Sequence, residues 1–171
     1  MGVAQLALRA WEFTCTVIVM GLIGNVISEA FSGNPATINY TMFVVAFALF
    51  TLFYLIPTSF KSDWAVHPVF PIVFDTLNTI FFLTAAIALS AKLEAHSCSN
   101  ENYTLNNEIT NGSSNPEKRC REAQASTAFL WFGWVAWTAS MILSIFAARR
   151  AGADLRPRTG PARGRPSMAQ V

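Results

Sequence analysis

Apolar positions in this chain fall into four long, nearly unbroken runs, separated by two short polar stretches and one long one. Crossing about 30 Å of hydrocarbon takes roughly 20 residues of helix, and each run is of that order. The runs predict helices at about 8–29, 38–56, 69–91 and 123–148. The first has an uncharged core from Phe13 to Ser28, with Arg9 and Glu12 at its start. The second, "INYTMFVVAFALFTLFYLI", is expected to stop at Pro57, which has no amide hydrogen for the next helical bond. The third is uncharged apart from Asp75, and the fourth is uncharged from Ala123 to Ala148. In runs this continuous the signal is length rather than a helical period. The rival reading of the first segment is a cleaved signal peptide ending near Ser28-Glu29-Ala30; charges at both ends suit a span better.

Composition points the same way. Hydrophobic residues make up 53% of the 171 and charged residues 13%, with a mean hydropathy of +0.38. A typical soluble domain is about a quarter charged. The expected fold class is all-α: an integral-membrane four-helix bundle over residues 1–148, followed by a disordered basic tail, residues 149–171. A chain this short has no room for a separate catalytic domain. No paired carboxylates, histidine cluster or nucleophile with its base stand at usable spacing. Catalytic residues, cofactor and metal are therefore all expected to be none, and an enzyme is the poorest reading.

Charge placement gives an orientation. Arg149, Arg150, Arg156, Arg158, Arg163 and Arg165 crowd the tail against one Asp154. Basic excess belongs in the cytoplasm, which places both termini and the loop with Lys61 inside. The stretch 92–122 is then the outer loop, where Lys92, Lys118, Arg119 and Arg121 are balanced by five glutamates. The tail is too polar to fold, and its arginines suit anionic lipid of the inner leaflet. Without aromatics to stack on bases it does not suit nucleic acid. Thr159 and Ser167 offer phosphorylation sites that would weaken the lipid attraction.

In the outer loop, Cys98 and Cys120 are the cysteines outside any span, facing an oxidising compartment where a thiol pair tends to become a disulfide. Free thiols are the alternative; a metal site with His96 lacks standard ligand spacing. Asn102-Tyr-Thr104 and Asn111-Gly-Ser113 are candidate glycosylation sequons, or simply turn-formers; Asn39-Tyr-Thr41 lies too near a helix start.

Inside the spans, Asp75 is costly and needs a partner. It lies about 9 Å from the start of the third helix, on the same side as Arg9, the best candidate. Asn78 shares its face, with Thr76 and Thr79 nearby, as a stripe able to bond neighbouring helices. A bundle-locking ion pair is one reading of Asp75; a relay in a small transporter or channel is the other. Gly21, Gly24 and Ser28 suggest close helix packing, or a seam between copies in a homo-oligomer. Trp131, Trp134 and Trp137 form a stripe for packing or lipid contact, with a sterol or sphingolipid groove as the sharper alternative.

Three stretches then carry a resemblance. "INYTMF", "FDTLNTIFFLTAAIALSAKLEAHSCSN" and "ITNGSSNPEKRCREAQASTAFLWF" closely resemble the fungal MARVEL-domain membrane proteins of the non-classical export protein 2 type, over roughly Arg9 to Ala148. The resemblance implies a four-helix plasma-membrane protein with both ends cytoplasmic, associated with eisosome proteins. It further implies an organiser of furrow-like membrane domains that responds to sphingolipid state, with an older link to signal-less export. The family supplies no agreed catalytic residues. Asp75, Asn78, Cys98 and Cys120 match its pattern as structural candidates.

Overall fold

The computed structural model describes residues 3–60, 69–94 and 96–150. Its elements are α1 (Val3–Ser28), α2 (Ala36–Phe60), α3 (Val69–Leu93), the short α4 (Glu101–Asn106) and α5 (Pro116–Arg150). Hydrocarbon offers no water to solvate an amide, so a spanning chain must close its own backbone hydrogen bonds, and helices do this within one segment. Four of the helices are long and apolar enough to span. α5 packs against α1 and α3, and α2 packs against the same two, so the four form a ring in which α1 faces α3 across the diagonal. The start of α1, the start of α3 and the end of α5 meet at one end of the bundle, called here the terminal end. Loops and α4 cover the other, the loop end. The core includes Leu52, Phe82, Leu89, Leu130 and Trp137, all fully buried.

Three boundaries differ from the sequence reading by four residues or more. α2 does not stop at Pro57 but runs on to Phe60. Proline removes one donor, the one that would reach the Phe53 carbonyl, and the helix runs on past it for a further turn. In that turn the hydroxyls stay within the helix: Thr58 Oγ1 and Ser59 Oγ both donate to the Leu55 carbonyl, at 3.0 and 2.7 Å. α5 starts at Pro116 rather than 123, because its polar first turns carry their own support. Proline suits the first helical position, where its missing N–H costs nothing. Asn115 Oδ1 caps the turn from Lys118 N at 3.0 Å, and Arg121 pairs with Glu117 at 2.5 Å one turn apart. α1 starts at Val3 rather than 8, which moves Glu12 from the edge of a span to well inside it. At 35 residues α5 is about 52 Å long, well beyond the hydrocarbon thickness of about 30 Å.

Candidate functional site

Three charged side chains meet in the terminal half of the bundle. Arg9 Nη1 lies 2.6 Å from Asp75 Oδ1, and Arg9 Nη2 lies 2.9 Å from Oδ2. This two-bond fork suits a planar guanidinium. Arg9 Nη1 also donates to Glu12 Oε2 at 2.9 Å. Ser144 of α5 donates to Asp75 Oδ2 at 2.7 Å, so three helices share the group. The Arg9 guanidinium stands 5.6 Å from the Trp137 ring centroid, adding a cation–π contact. Arg9, Glu12 and Asp75 are all at most 1% exposed. A lone charge in hydrocarbon is costly, and the pairing and hydrogen bonds are what make this burial tolerable.

Sequence alone missed Glu12 and Ser144. Glu12 follows Arg9 by three residues and so shares its helical face. That was the available signal, and the late start assigned to α1 hid it. Ser144 carries no signal, since serine in a spanning helix is ordinary.

Around this cluster the remaining polar groups divide. Asn78 Nδ2 donates to Thr51 Oγ1 of α2 at 2.8 Å. Thr76 and Thr79 do not reach neighbouring helices: each hydroxyl donates to a carbonyl four residues back in α3, at 2.7 Å, so the expected stripe shrinks to one cross-helix bond. The small-residue expectation also needs correction. Gly21 and Ser28 sit on the outer surface, where a Cβ at Gly21 would meet nothing within 4 Å. Gly24 alone comes near a neighbour, Met42 Cε of α2 at 3.7 Å. The close approach is elsewhere: a Cβ at Gly133 of α5 would stand 2.6 Å from Phe82 Cε1 of α3. The period of α1 does not fix which face turns inward, and its buried face is the one carrying Arg9, Glu12, Cys15 and Val19. The tryptophan stripe splits as well. Trp137 is buried against Phe82 at 6.1 Å, Trp131 is exposed, and Trp134 meets Trp131 edge-on at 5.7 Å.

The loop end is tied by a disulfide and a buried arginine. Cys98 and Cys120 are joined, with Cα atoms 5.6 Å apart, so neither thiol is free to ligate a metal. His96 packs on Tyr103 at 4.7 Å and lies 3.2 Å from Glu94. Burial pushes the Tyr103 phenol above its usual range, with Glu94 adding to the effect, and its hydroxyl donates to the Leu93 carbonyl. Arg119, expected only as a balancing charge, is 1% exposed. It donates to the carbonyls of Ile109 and Val26 at 2.7 and 2.8 Å, and to Asn34 Oδ1 at 3.0 Å. It thus joins the last turn of α1, the α1–α2 loop and the outer loop. Lys118 donates to Glu29 at 2.5 Å and holds that carboxyl below its usual range. Asn102 and Asn111 are exposed, whereas the hydroxyl residues of their sequons, Thr104 and Ser113, are buried. Arg149 and Arg150 end α5 as exposed helical residues rather than opening the tail. Arg156, Arg158, Arg163 and Arg165, with Lys61, Thr159 and Ser167, lie outside the described residues.

Four spanning helices around a buried ion cluster, closed at one end by a disulfide-tied loop, define a tetraspan membrane protein. The chain belongs to the MARVEL family, whose membrane-associating domain matches residues 2–143, and within it to the non-classical export protein 2 family. It is 39% identical to Non-classical export protein 102 of Candida albicans, over 100% of this chain and 99% of that one. Identity to Non-classical export protein 2 of Saccharomyces cerevisiae is 34%, over 100% and 99%. A homolog of the latter in Schizosaccharomyces pombe is 30% identical, over 86% of this chain and 80% of its own. No solved structure matches the chain.

Proposed function

We propose that this protein is a non-enzymatic organiser of plasma-membrane domains of the eisosome type, one that responds to sphingolipids and bears on non-classical export. The division of the bundle carries the reading. The charges inside the span are turned to the centre and paired. The circumference presents large apolar side chains, with Phe50 73% exposed, Phe53 69% and Phe132 55%. Between α2 and α3 these side chains line a groove of about 540 Å³, walled by Phe50, Phe53, Tyr54, Phe70 and Phe74. Such a surface meets lipid chains and neighbouring proteins over a wide area. The names of the relatives support the link to export.

In this reading residues 1–148 are the membrane domain and the basic residues from Arg149 onward lie in the cytoplasm with the N-terminus. Arg149, Arg150, Arg156, Arg158, Arg163 and Arg165 attract anionic lipid there. Asn102 and Asn111 face outside as glycosylation acceptors. Sphingolipid, sterol, eisosome proteins and further copies of the chain are the partners.

Imaging a tagged copy in fungal cells before and after sphingolipid depletion tests the proposal. Patches at the cell surface that redistribute on depletion are expected. A uniform or internal signal that the treatment leaves unmoved would overturn it.

A transporter or channel using Asp75 is the second reading, favoured by the shared carboxylate between α1, α3 and α5. In that reading Asp75→Asn changes solute flux at unchanged protein level; in the organiser reading it changes abundance or assembly.

A further inference from the structure

At the loop end, the segment joining α1 to α2 and the outer loop face each other across an open cleft of about 460 Å³. Ser32, Gly33 and Asn34 line one side, Glu108, Asn111 and Gly112 the other, and the buried Arg119 lies between them. The two sides are fastened together. Phe31 N donates to the Gly112 carbonyl at 2.9 Å, and Arg119 reaches both Asn34 Oδ1 and the Ile109 carbonyl. Ser32, Gly33 and Asn111 are exposed, so the cleft has room and its walls are open to it.

Acceptors and donors around the cleft are unequally met. The Gly112 carbonyl takes Phe31 N, the Pro35 carbonyl takes Ile38 N at 3.0 Å, and the Glu108 carboxylate takes Lys92 at 2.7 Å. By contrast, the backbone N–H groups of Ser32, Gly33 and Gly112 donate to none of the described residues, nor do the side chains of Ser32, Asn34 and Asn111. Gly33 and Gly112 hold φ of 61° and 114°, and a Cβ at either would meet nothing within 4 Å. These glycines serve backbone conformation rather than packing, and they leave the amides beside them uncovered. Arg119 gives three of its five N–H groups to neutral oxygens. Among the described residues no carboxylate pairs with it, because Glu29 and Glu122 both turn to Lys118. Its charge therefore stands behind the cleft without a counter-ion in contact, in surroundings that screen it weakly.

We propose that this cleft is an anion site that takes the phosphate group of a phosphorylated molecule. The backbone amides of Ser32, Gly33 and Gly112, the Ser32 hydroxyl and the Asn34 and Asn111 amides donate to its oxygens, and Arg119 supplies the charge from behind. A surplus of donors beside a cation is the chemistry of oxyanion recognition; a cation entering the cleft would find one carboxylate, Glu108, already held by Lys92. The volume exceeds that of a bare phosphate, so space remains for the ester that carries it. That ester is either a soluble molecule or the headgroup of a lipid, since the cleft lies where α2 begins. A glycan on Asn111 would leave one amide N–H there and the three backbone donors in place. This inference does not depend on the organiser reading.

Titration of the full chain with inorganic phosphate tests it, in an uncharged detergent, with the disulfide intact and ionic strength held constant with chloride. The amide resonances of Ser32, Gly33 and Gly112 are expected to move together and to saturate, and chloride alone is expected to leave them in place. Ser32→Asp puts a like charge on one wall and should weaken binding by about tenfold or more. Asn111→Asp does the same from the opposite wall, so the test survives if either variant fails to fold; Arg119 is left unaltered because it also holds the loops. No saturable shift, the same shift with chloride, or equal affinity in a folded aspartate variant would overturn the site. Repeating the titration in phospholipid nanodiscs separates the two sources. Resonances that already stand at their phosphate-bound positions, and that added phosphate does not move, assign the site to a lipid headgroup. A shift on adding free phosphate assigns it to a soluble ester.

Discussion

Arg9 and Asp75 meet two bonds to two across the diagonal of the bundle, at 2.6 and 2.9 Å, joining the helices that the ring packing leaves furthest apart. Breaking one side of such a buried pair costs about 3–5 kcal/mol, because the other charge is left without its partner. Asp75→Asn and Arg9→Met are therefore expected to lower thermal stability in detergent by that order. The triple change Arg9→Met, Glu12→Gln and Asp75→Leu, which removes all three charges together, is expected to recover most of the loss. Glu12→Gln should cost clearly less than Asp75→Asn. Glu12 takes one bond from Arg9, whereas Asp75 takes two from Arg9 and a third from Ser144. Equal losses for the two would mean that the fork is not the organising contact.

Gly133→Ala is expected to destabilise by about 1–3 kcal/mol, the range for an extra carbon forced into a packed contact. Its Cβ would meet Phe82 at 2.6 Å. Adding Phe82→Leu, which removes the ring edge, should restore part of the loss in the same unfolding assay. Gly21→Ala, with nothing within 4 Å, is the control and should leave the transition in place.

Loss of the Cys98–Cys120 bridge, with a sequence separation of 22, should lower stability by about 3 kcal/mol through the freedom it returns to the unfolded chain. Cys98→Ser and Cys120→Ser should behave alike, and non-reducing gels of the unaltered chain should show no thiol labelling at either position.

Arg119→Met removes the donors that the Val26 and Ile109 carbonyls share. Each buried carbonyl left unmet costs about 1–3 kcal/mol. The expected sign is faster amide exchange in residues 107–113 and in the last turn of α1, with the terminal half unchanged. Arg119→Lys should rescue only in part, since one ammonium cannot span the three acceptors that the guanidinium fork reaches.

Hydropathy and length were enough to locate the four spans, because in hydrocarbon the need to close backbone bonds leaves a long apolar run little choice but helix. The ends were harder. At Pro57 the loss of a single donor does not stop the helix, and at Pro116 a cap and one-turn ion pairs make a charged stretch helical. Arg9 and Asp75 could be paired on paper because both charges lie at similar depth on one side. Glu12 could not, because its depth depends on where α1 begins. Arg119 looked like any loop cation, since its acceptors are backbone carbonyls brought together only by the fold. The facing of Gly21 and Gly133 was equally hidden: helices apolar all round carry no stripe to say which side is in.

The diagonal fork also acts on register. Lipid tails are as apolar as leucine, so sliding α1 past its neighbours by one turn, about 5.4 Å, would exchange one set of greasy contacts for another at little cost. It would also pull the Arg9 guanidinium off Asp75 and strand both charges. The pair thus serves as a locating pin for the terminal end, as the Cys98–Cys120 bridge does for the loop end. Pinned at both ends, the bundle offers lipids and neighbours a surface that keeps its alignment.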